Sequence, residues 1–270
     1  MSEAVRELYS CTMGEGPEVV MLHGWGMHSG IWRELAEALA QDFRVTCVDL
    51  PGHGLSPRDL RLNVQDVIDA LLEIQPQASH WIGWSLGGHI LMQLAAQAPQ
   101  CVQSLGLICS SPRYTKSPDW AFAMDAAILE QFASELEQNY QQTLLRFIAL
   151  QTLSSSSAHA TLKILRQRIR ESDMPGIQAL RDGLDILRHG DARSVLADLQ
   201  CRTQVILGER DTIVPANIAR YYREIPAVQQ VHTINGAGHA PFLSHPGSIY
   251  PLLRDFLLDT PNQLPESCLS

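Results

Sequence analysis

Short aliphatic or β-branched runs alternate along this chain with amphipathic helical periods, and that alternation restricts the fold to a mostly parallel sheet covered by helices. The strand candidates are Val19 to Leu22, Arg44 to Asp49, His80 to Ile82, Leu105 to Cys109, Gln204 to Leu207 and Val231 to Ile234. Between them Val64, Val67, Ile68, Leu71 and Leu72 fall on one helical face, with Asn63 as the expected N-cap. Leu86 to Ala98 is apolar nearly all round and stops before Pro99, as a buried helix would. Ile249, Leu252, Leu253 and Phe256 mark a last amphipathic helix.

From Ser111 to Gly190 the strands stop and only helical periods remain. One runs through Phe132, Leu136, Tyr140, Leu144, Phe147 and Ile148, a second through Leu162, Leu165 and Ile169, a third through Ile177, Leu180, Leu184 and Leu187. The expected architecture is therefore α/β, with a helical cap inserted between the sixth and seventh strands over the carboxyl edge of the sheet. Residues 1–111 and 191–260 would form the core, 112–190 the cap, and 261–270 a disordered tail. Ser154 to Ser157 read as a plain connection between two cap helices.

Gly83-Trp84-Ser85-Leu86-Gly87 lies where a strand candidate meets a helix candidate. Glycines flanking a serine in a strand-to-helix turn permit a bend too tight for larger side chains, and the bend leaves the hydroxyl exposed. A serine hydroxyl needs a base, and in this strand–helix context the expected order is Ser, then an acid, then His. His239, in Gly236-Ala237-Gly238-His239 after the last strand, is the expected base, and His245 is expected to cap the following helix. Asp211, after the penultimate strand, is the expected orienting acid, with Glu209 its solvated neighbour. An oxyanion would be met by the amides of Leu86, at a helix N-terminus, and Trp25, in His23-Gly24-Trp25-Gly26. His53, within Pro51-Gly52-His53-Gly54, is expected to organise neighbouring loops rather than to act on substrate.

Net charge is −9, which argues against nucleic acid as the main partner. The charge is uneven: from Gln138 to Arg170 there is no acid, and Arg146, Lys163, Arg166, Arg168 and Arg170 give +5, leaving −14 elsewhere. Six scattered cysteines form no C-x-x-C pair, and neither they nor the histidines have metal-ligand spacing, so neither a metal nor another cofactor is expected. With Glu3, Arg6, Glu7 and Glu15 near the start, and no apolar run of about 18 residues, a cytoplasmic location without membrane insertion is expected.

These features resemble the α/β-hydrolase superfamily over nearly the whole chain. Within it the chain is similar to the pimeloyl-[acyl-carrier protein] methyl ester esterases of biotin synthesis. The residues carrying that narrower likeness are His23-Gly24-Trp25-Gly26, Gly83 to Gly88, Arg146 to Gln151, and Gly238 to Phe242 with Ser244-His245-Pro246, while Asp49-Leu50-Pro51-Gly52-His53-Gly54-Leu55-Ser56, the serine turn and the final histidine loop carry the wider one. The resemblance implies cleavage of a pimeloyl methyl ester borne on acyl carrier protein, with methanol released and small esters serving as surrogates. It implies an acyl channel lined by Trp25, Ser85, Leu86, Phe147, Ile148, Ala149, Leu150, Gln151 and His239. An acidic carrier would suit the basic cap, where Arg146 and Lys163 match basic positions of the family. His159 and Gln142 stand where some members have arginine, shifting the grip toward Arg166, Arg168 and Arg170. Two other readings stay open: a short-chain carboxylesterase or carbon–carbon bond hydrolase of the same fold, and a non-catalytic relative that only binds. An intact Ser85, Asp211 and His239 speaks against the last.

Overall fold

The computed structural model describes residues 7–259. The expected tail at 261–270, and Cys268, lie outside them. Seven strands form one sheet: β1 (Ser10–Met13), β2 (Glu18–Leu22), β3 (Arg44–Val48), β4 (Ser79–Trp84), β5 (Val102–Ile108), β6 (Arg202–Gly208) and β7 (Val228–Ile234). Their spatial order is β1-β3-β2-β4-β5-β6-β7, with β1 antiparallel to β3 and every other pair parallel. Helices cover both faces, so central strands read as unbroken apolar runs, and Val19, Val20 and Met21 are all wholly buried. β1 is the strand the periodicity misses. It is a short, mostly exposed edge strand of mixed composition, with no buried face to impose an alternation.

The helices are α1 (Arg33–Leu39), α2 (Val64–Ile74), α3 (Leu86–Gln97), α4 (Ala126–Gln138), α5 (Tyr140–Leu150), α6 (Ala158–Ile169), α7 (Ile177–His189), α8 (Arg193–Ala197), α9 (Ala219–Tyr222), α10 (Pro241–Ser244) and α11 (Pro246–Leu258). Asn63 caps α2, its side chain accepting from the amides of Gln65 and Asp66. The period from Phe132 to Ile148 is two helices, not one. Asn139 takes φ −152° and ψ 81° and its side chain accepts from the Gln142 amide, which ends α4 and starts α5. His245 heads α11, but its ring bonds Ser244 Oγ instead of capping the helix. No helix among the described residues is long and apolar enough to cross a membrane.

The helical block α4 to α7 lies between β5 and β6, since the described sheet has one strand fewer ahead of it than the sixth-and-seventh numbering supposes. The chain leaves the core at Ser111-Pro112 and returns at Ala192, whose amide donates to Pro112 O at 2.8 Å. A carboxylate–guanidinium group closes this crossing. Arg193 bonds Asp191 at 2.7 Å and Asp119 at 2.8 Å, and Arg113 adds a 3.0 Å bond to Asp191. Farther along, Asp182 of α7 accepts two bonds from Arg61 and one from the Leu62 amide, tying the block to the loop before α2.

The hydrogen bonds from Arg193, then Arg113, hold the Asp191 carboxyl down from 3.8 to about 2. Because the folded value lies below the unfolded one, this contribution is complete above pH 4 and fades as the pH falls toward 2. Urea midpoints measured across that range should therefore separate wild type from Asp191→Asn at neutral pH, and the two curves should converge in acid.

Candidate active site

At the carboxyl end of β4 the chain turns directly into α3, and Ser85 occupies the turn with φ 54° and ψ −118°. A positive φ in a residue with a Cβ is strained, and the surroundings must hold it. They do so by close approach: a Cβ on Gly83 would lie 2.4 Å from Gly88 Cα, and one on Gly87 2.3 Å from Leu22 O. The Ser85 amide donates to Ile108 O of the adjacent strand at 3.0 Å.

β7 delivers His239 on the loop 235–240. Its Nε2 lies 2.8 Å from Ser85 Oγ, and its Nδ1 lies 2.7 Å from Asp211 Oδ2. The other oxygen of Asp211 accepts from the amides of Ile213 and Val214 at 2.8 and 3.0 Å, so the carboxylate cannot swing away. All three side chains are buried: Ser85 is 4% exposed, His239 1% and Asp211 6%. Proton transfer from Ser85 to His239, with Asp211 steadying the resulting imidazolium, is chemistry this arrangement can perform. Glu209 is not merely solvated, because it accepts from the Gly236 amide at 2.8 Å and shapes the turn before His239.

The loop after β2 runs beside Ser85, and a Cβ on Gly24 would sit 3.1 Å from Ser85 Cβ. Among the described residues no acceptor takes the amides of Trp25 or Leu86, which leaves both donors open. Two buried histidines fix this loop. The Gly26 amide donates to His53 Nε2 at 3.3 Å, and the Leu50 amide donates to His23 Nε2 at 3.0 Å. Burial lowers the pKa of each to about 3, so both stay neutral and keep Nε2 as an acceptor.

The cap closes over this loop. Trp25 donates its indole N–H to Leu180 O of α7 at 2.8 Å and meets Phe147 of α5 edge-on, with ring centroids 4.7 Å apart. Gly183 makes room for that indole, since a Cβ there would lie 2.7 Å from Trp25 Cδ1. Of the expected channel residues, Phe147 reaches Trp25, and Gln151 reaches His239, whose amide donates to Gln151 O at 3.0 Å. Ile148 is fully buried, whereas Ala149 and Leu150 are half-buried. Ala149 stands about 200° around the helix from Phe147, so its side chain leaves the channel side.

The serine run is more than a connection. Ser156 donates its amide (2.9 Å) and hydroxyl (3.1 Å) to Gly236 O, and Ser155 Oγ adds a 3.4 Å bond to the same carbonyl. Arg210 donates to Ser154 O at 3.2 Å. The segment thus bonds both the loop that carries His239 and the loop that carries Asp211. No sequence period announces this, because the partners are backbone atoms of another loop.

The basic stretch divides. His159, Lys163, Arg166 and Arg170 line one groove along α6 together with Leu162, Gln167 and Glu171, whose carboxylate is paired with Arg33 and Arg168; none of the four basic residues is paired with a carboxylate among the described residues. Arg146 stands apart, paired with Glu135 and set 5.4 Å over the Phe132 ring. Arg168 is buried between Glu34 and Glu171 and cannot face a partner. Glu135 and Glu171, just outside the acid-free window, and the distant Glu34 neutralise these two arginines, so the free positive charge is smaller than the +5 read from the window. Metal-type donors gather among the described residues at Cys109, Asp211 and His239, within 4.8 Å of one another. An ion there would displace the proton between Asp211 and His239, and with it the bond that orients the ring.

The alpha/beta hydrolase family matches residues 19–250. The chain belongs to that family. It stands among hydrolytic enzymes, not among modules that only bind. The pimeloyl-[acyl-carrier protein] methyl ester esterase of Methylococcus capsulatus is 39% identical over 250 residues, covering 93% of this chain and 98% of its own length. Its namesake from Chromobacterium violaceum is 40% identical, with the same shares covered. An esterase from Exiguobacterium antarcticum superposes with a TM-score of 0.82 at 19% identity, over 93% of this chain and 95% of its own. A thermophilic esterase from Thermogutta terrifontis gives 0.80 at 23%, over 94% and 93%. At those identities the two structures bear on the fold alone.

Gly183→Ala separates stability from activity in this family member. The exchange gains about 1 kcal/mol of helix propensity while pushing on the Trp25 indole. Ester turnover should fall about tenfold or more, as a displaced wall beside the reacting atoms predicts, while the urea midpoint moves little.

Proposed function

We propose that this chain is a cytoplasmic serine esterase that hydrolyses the methyl ester of a pimeloyl chain carried on acyl carrier protein, as a step of biotin synthesis. The observation that carries the reading is the continuous relay from Ser85 Oγ through His239 to Asp211, at 2.8 and 2.7 Å. Relatives about two-fifths identical over nearly their full length bear that activity in their names, which supports the substrate. Buried free thiols at Cys47, Cys101, Cys109 and Cys201 suit a reducing compartment.

In the proposed reaction Ser85 Oγ gives its proton to His239 Nε2 and attacks the ester carbonyl. The amides of Trp25 and Leu86 receive the oxyanion, a contribution of about 3 kcal/mol per donor in comparable sites. Collapse of the intermediate expels methoxide, which takes the proton from His239 and leaves as methanol. Water, deprotonated by the same imidazole, then attacks the acyl-enzyme; as the intermediate collapses the acyl–Oγ bond breaks, His239 returns that proton to Ser85 Oγ, and the free acid is released. Phe147 and Gln151 line the acyl path beside Trp25 in this scheme. The α6 groove, with His159, Lys163, Arg166 and Arg170, meets the acidic carrier; Arg146 and Arg168 have no part in that contact.

Ser85→Ala should lower turnover of p-nitrophenyl esters by at least about 10⁴-fold with the fold intact; full activity in the variant excludes the nucleophile. Lys163→Glu with Arg166→Glu should raise KM for the carrier-linked methyl ester at least about tenfold, because facing like charges cost several kcal/mol. Free pimeloyl methyl ester should be turned over as before. Equal losses on both substrates remove the carrier from the groove.

A further inference from the structure

Trp84 enters the sequence reading only as the variable position of the serine turn. Its side chain is fully buried, and its indole N–H donates to the main-chain carbonyl of His239 at 2.7 Å. The ring is wedged in place. Phe242 of α10 meets it edge-on at 5.3 Å between centroids, Trp32 does so at 6.4 Å, and those two rings lie 4.6 Å from each other. The imidazole of His239 lies 5.6 Å from the indole, tilted by 46°.

We infer that Trp84 is a positioning residue for the base, fixing where the His239 imidazole stands relative to Ser85. The inference rests on the roles proposed above for Ser85 and His239. Trp84 and Ser85 are consecutive, and each bonds His239, one at its carbonyl and the other at its ring. The two hydrogen bonds close a small cycle through the covalent link between residues 84 and 85. Opposite the indole, the His239 amide donates to Gln151 O at 3.0 Å. The main chain of the base is thus clamped on both sides, by the serine turn and by the cap. Without the indole N–H, one side of the clamp opens and leaves a buried carbonyl without its donor. The Ser85–His239 distance is then set by the loop alone, and small misplacements of reacting groups are expensive in rate. Trp84 itself has no exposed surface toward an acyl chain, so substrate affinity should not depend on it.

Replacing Trp84 with β-(3-benzothienyl)alanine keeps the shape of the ring and exchanges the N–H for sulfur; Trp84→Phe serves as the coarser variant. In full-length protein the isostere should lower kcat on p-nitrophenyl butyrate by about 10- to 100-fold, with KM within about twofold. The low-field proton resonance of the Asp211–His239 bond should shift or broaden. An isostere with unchanged kcat and resonance overturns the inference, as does a loss confined to KM. If Trp84→Phe fails to fold, the isostere still decides. Ser85→Ala assayed alongside keeps the two readings apart: an active Ser85→Ala sinks the proposed nucleophile, whereas an inactive one beside a fully active isostere sinks only the role of Trp84.

Discussion

The hydrogen bond between Ser85 Oγ and His239 Nε2 joins residues 154 apart in sequence, and most of the architecture can be understood from what that bond requires. Both partners must stand at the carboxyl ends of strands, on loops too short to wander. Parallel pairing supplies this, since β4, β5, β6 and β7 all run the same way and end on the same side. The acid joins from the end of β6, where two backbone amides hold one carboxylate oxygen and leave the other for the imidazole. A parallel sheet cannot be built from hairpins, so every strand must be followed by a crossover. The helical layers are the consequence of putting the reacting groups on one edge.

The cap serves that same edge. Its α5 end gives Gln151 O to the His239 amide, and its serine connection takes hold of Gly236 O. Its α7 backbone accepts from the Trp25 indole. A helical block that only covered an apolar site would need side-chain packing alone. Here main-chain bonds run from the cap to the base and side-chain bonds from Trp25 to the cap, so its position and the geometry of the relay are coupled. The groove on α6 follows the serine connection directly in sequence, which sets the proposed carrier contact one short segment from the loop of the base.

How legible this was depended on how local each rule is. The serine turn, the Asn63 cap and the buried parallel strands follow from neighbours within a few residues, and the sequence carried them plainly. His239 and Asp211 were legible because strand order restricts where a base and an acid can come from. β1 was not, because a short, exposed edge strand has no periodicity to betray it. The break at Asn139 was hidden by an apolar period that continues through it, although asparagine prefers caps to helix interiors. Arg146 and Arg168 looked free only because Glu135, Glu34 and Glu171 lie outside the acid-free window and reach them in space. Trp84 and the serine connection act on backbone carbonyls, which have no residue-type signature.

His23, His53 and His239 are all buried, and their different uses rest on what faces Nδ1. In His23 and His53 that nitrogen bonds a main-chain carbonyl, of Gly24 and Pro51 respectively, while Nε2 accepts from a buried amide. Protonation at Nε2 would break the hydrogen bond from the backbone N–H and strand a charge in the core, and burial lowers both groups to about 3. They are rigid acceptors that shape the loop of Trp25. His239 has a carboxylate at Nδ1 in place of a neutral carbonyl, and at Nε2 a hydroxyl that can surrender its proton. The imidazolium that would be prohibitive at the other two positions is paired here as soon as it forms. One kind of side chain thus suits two kinds of chemistry, and the partner on the far nitrogen decides which.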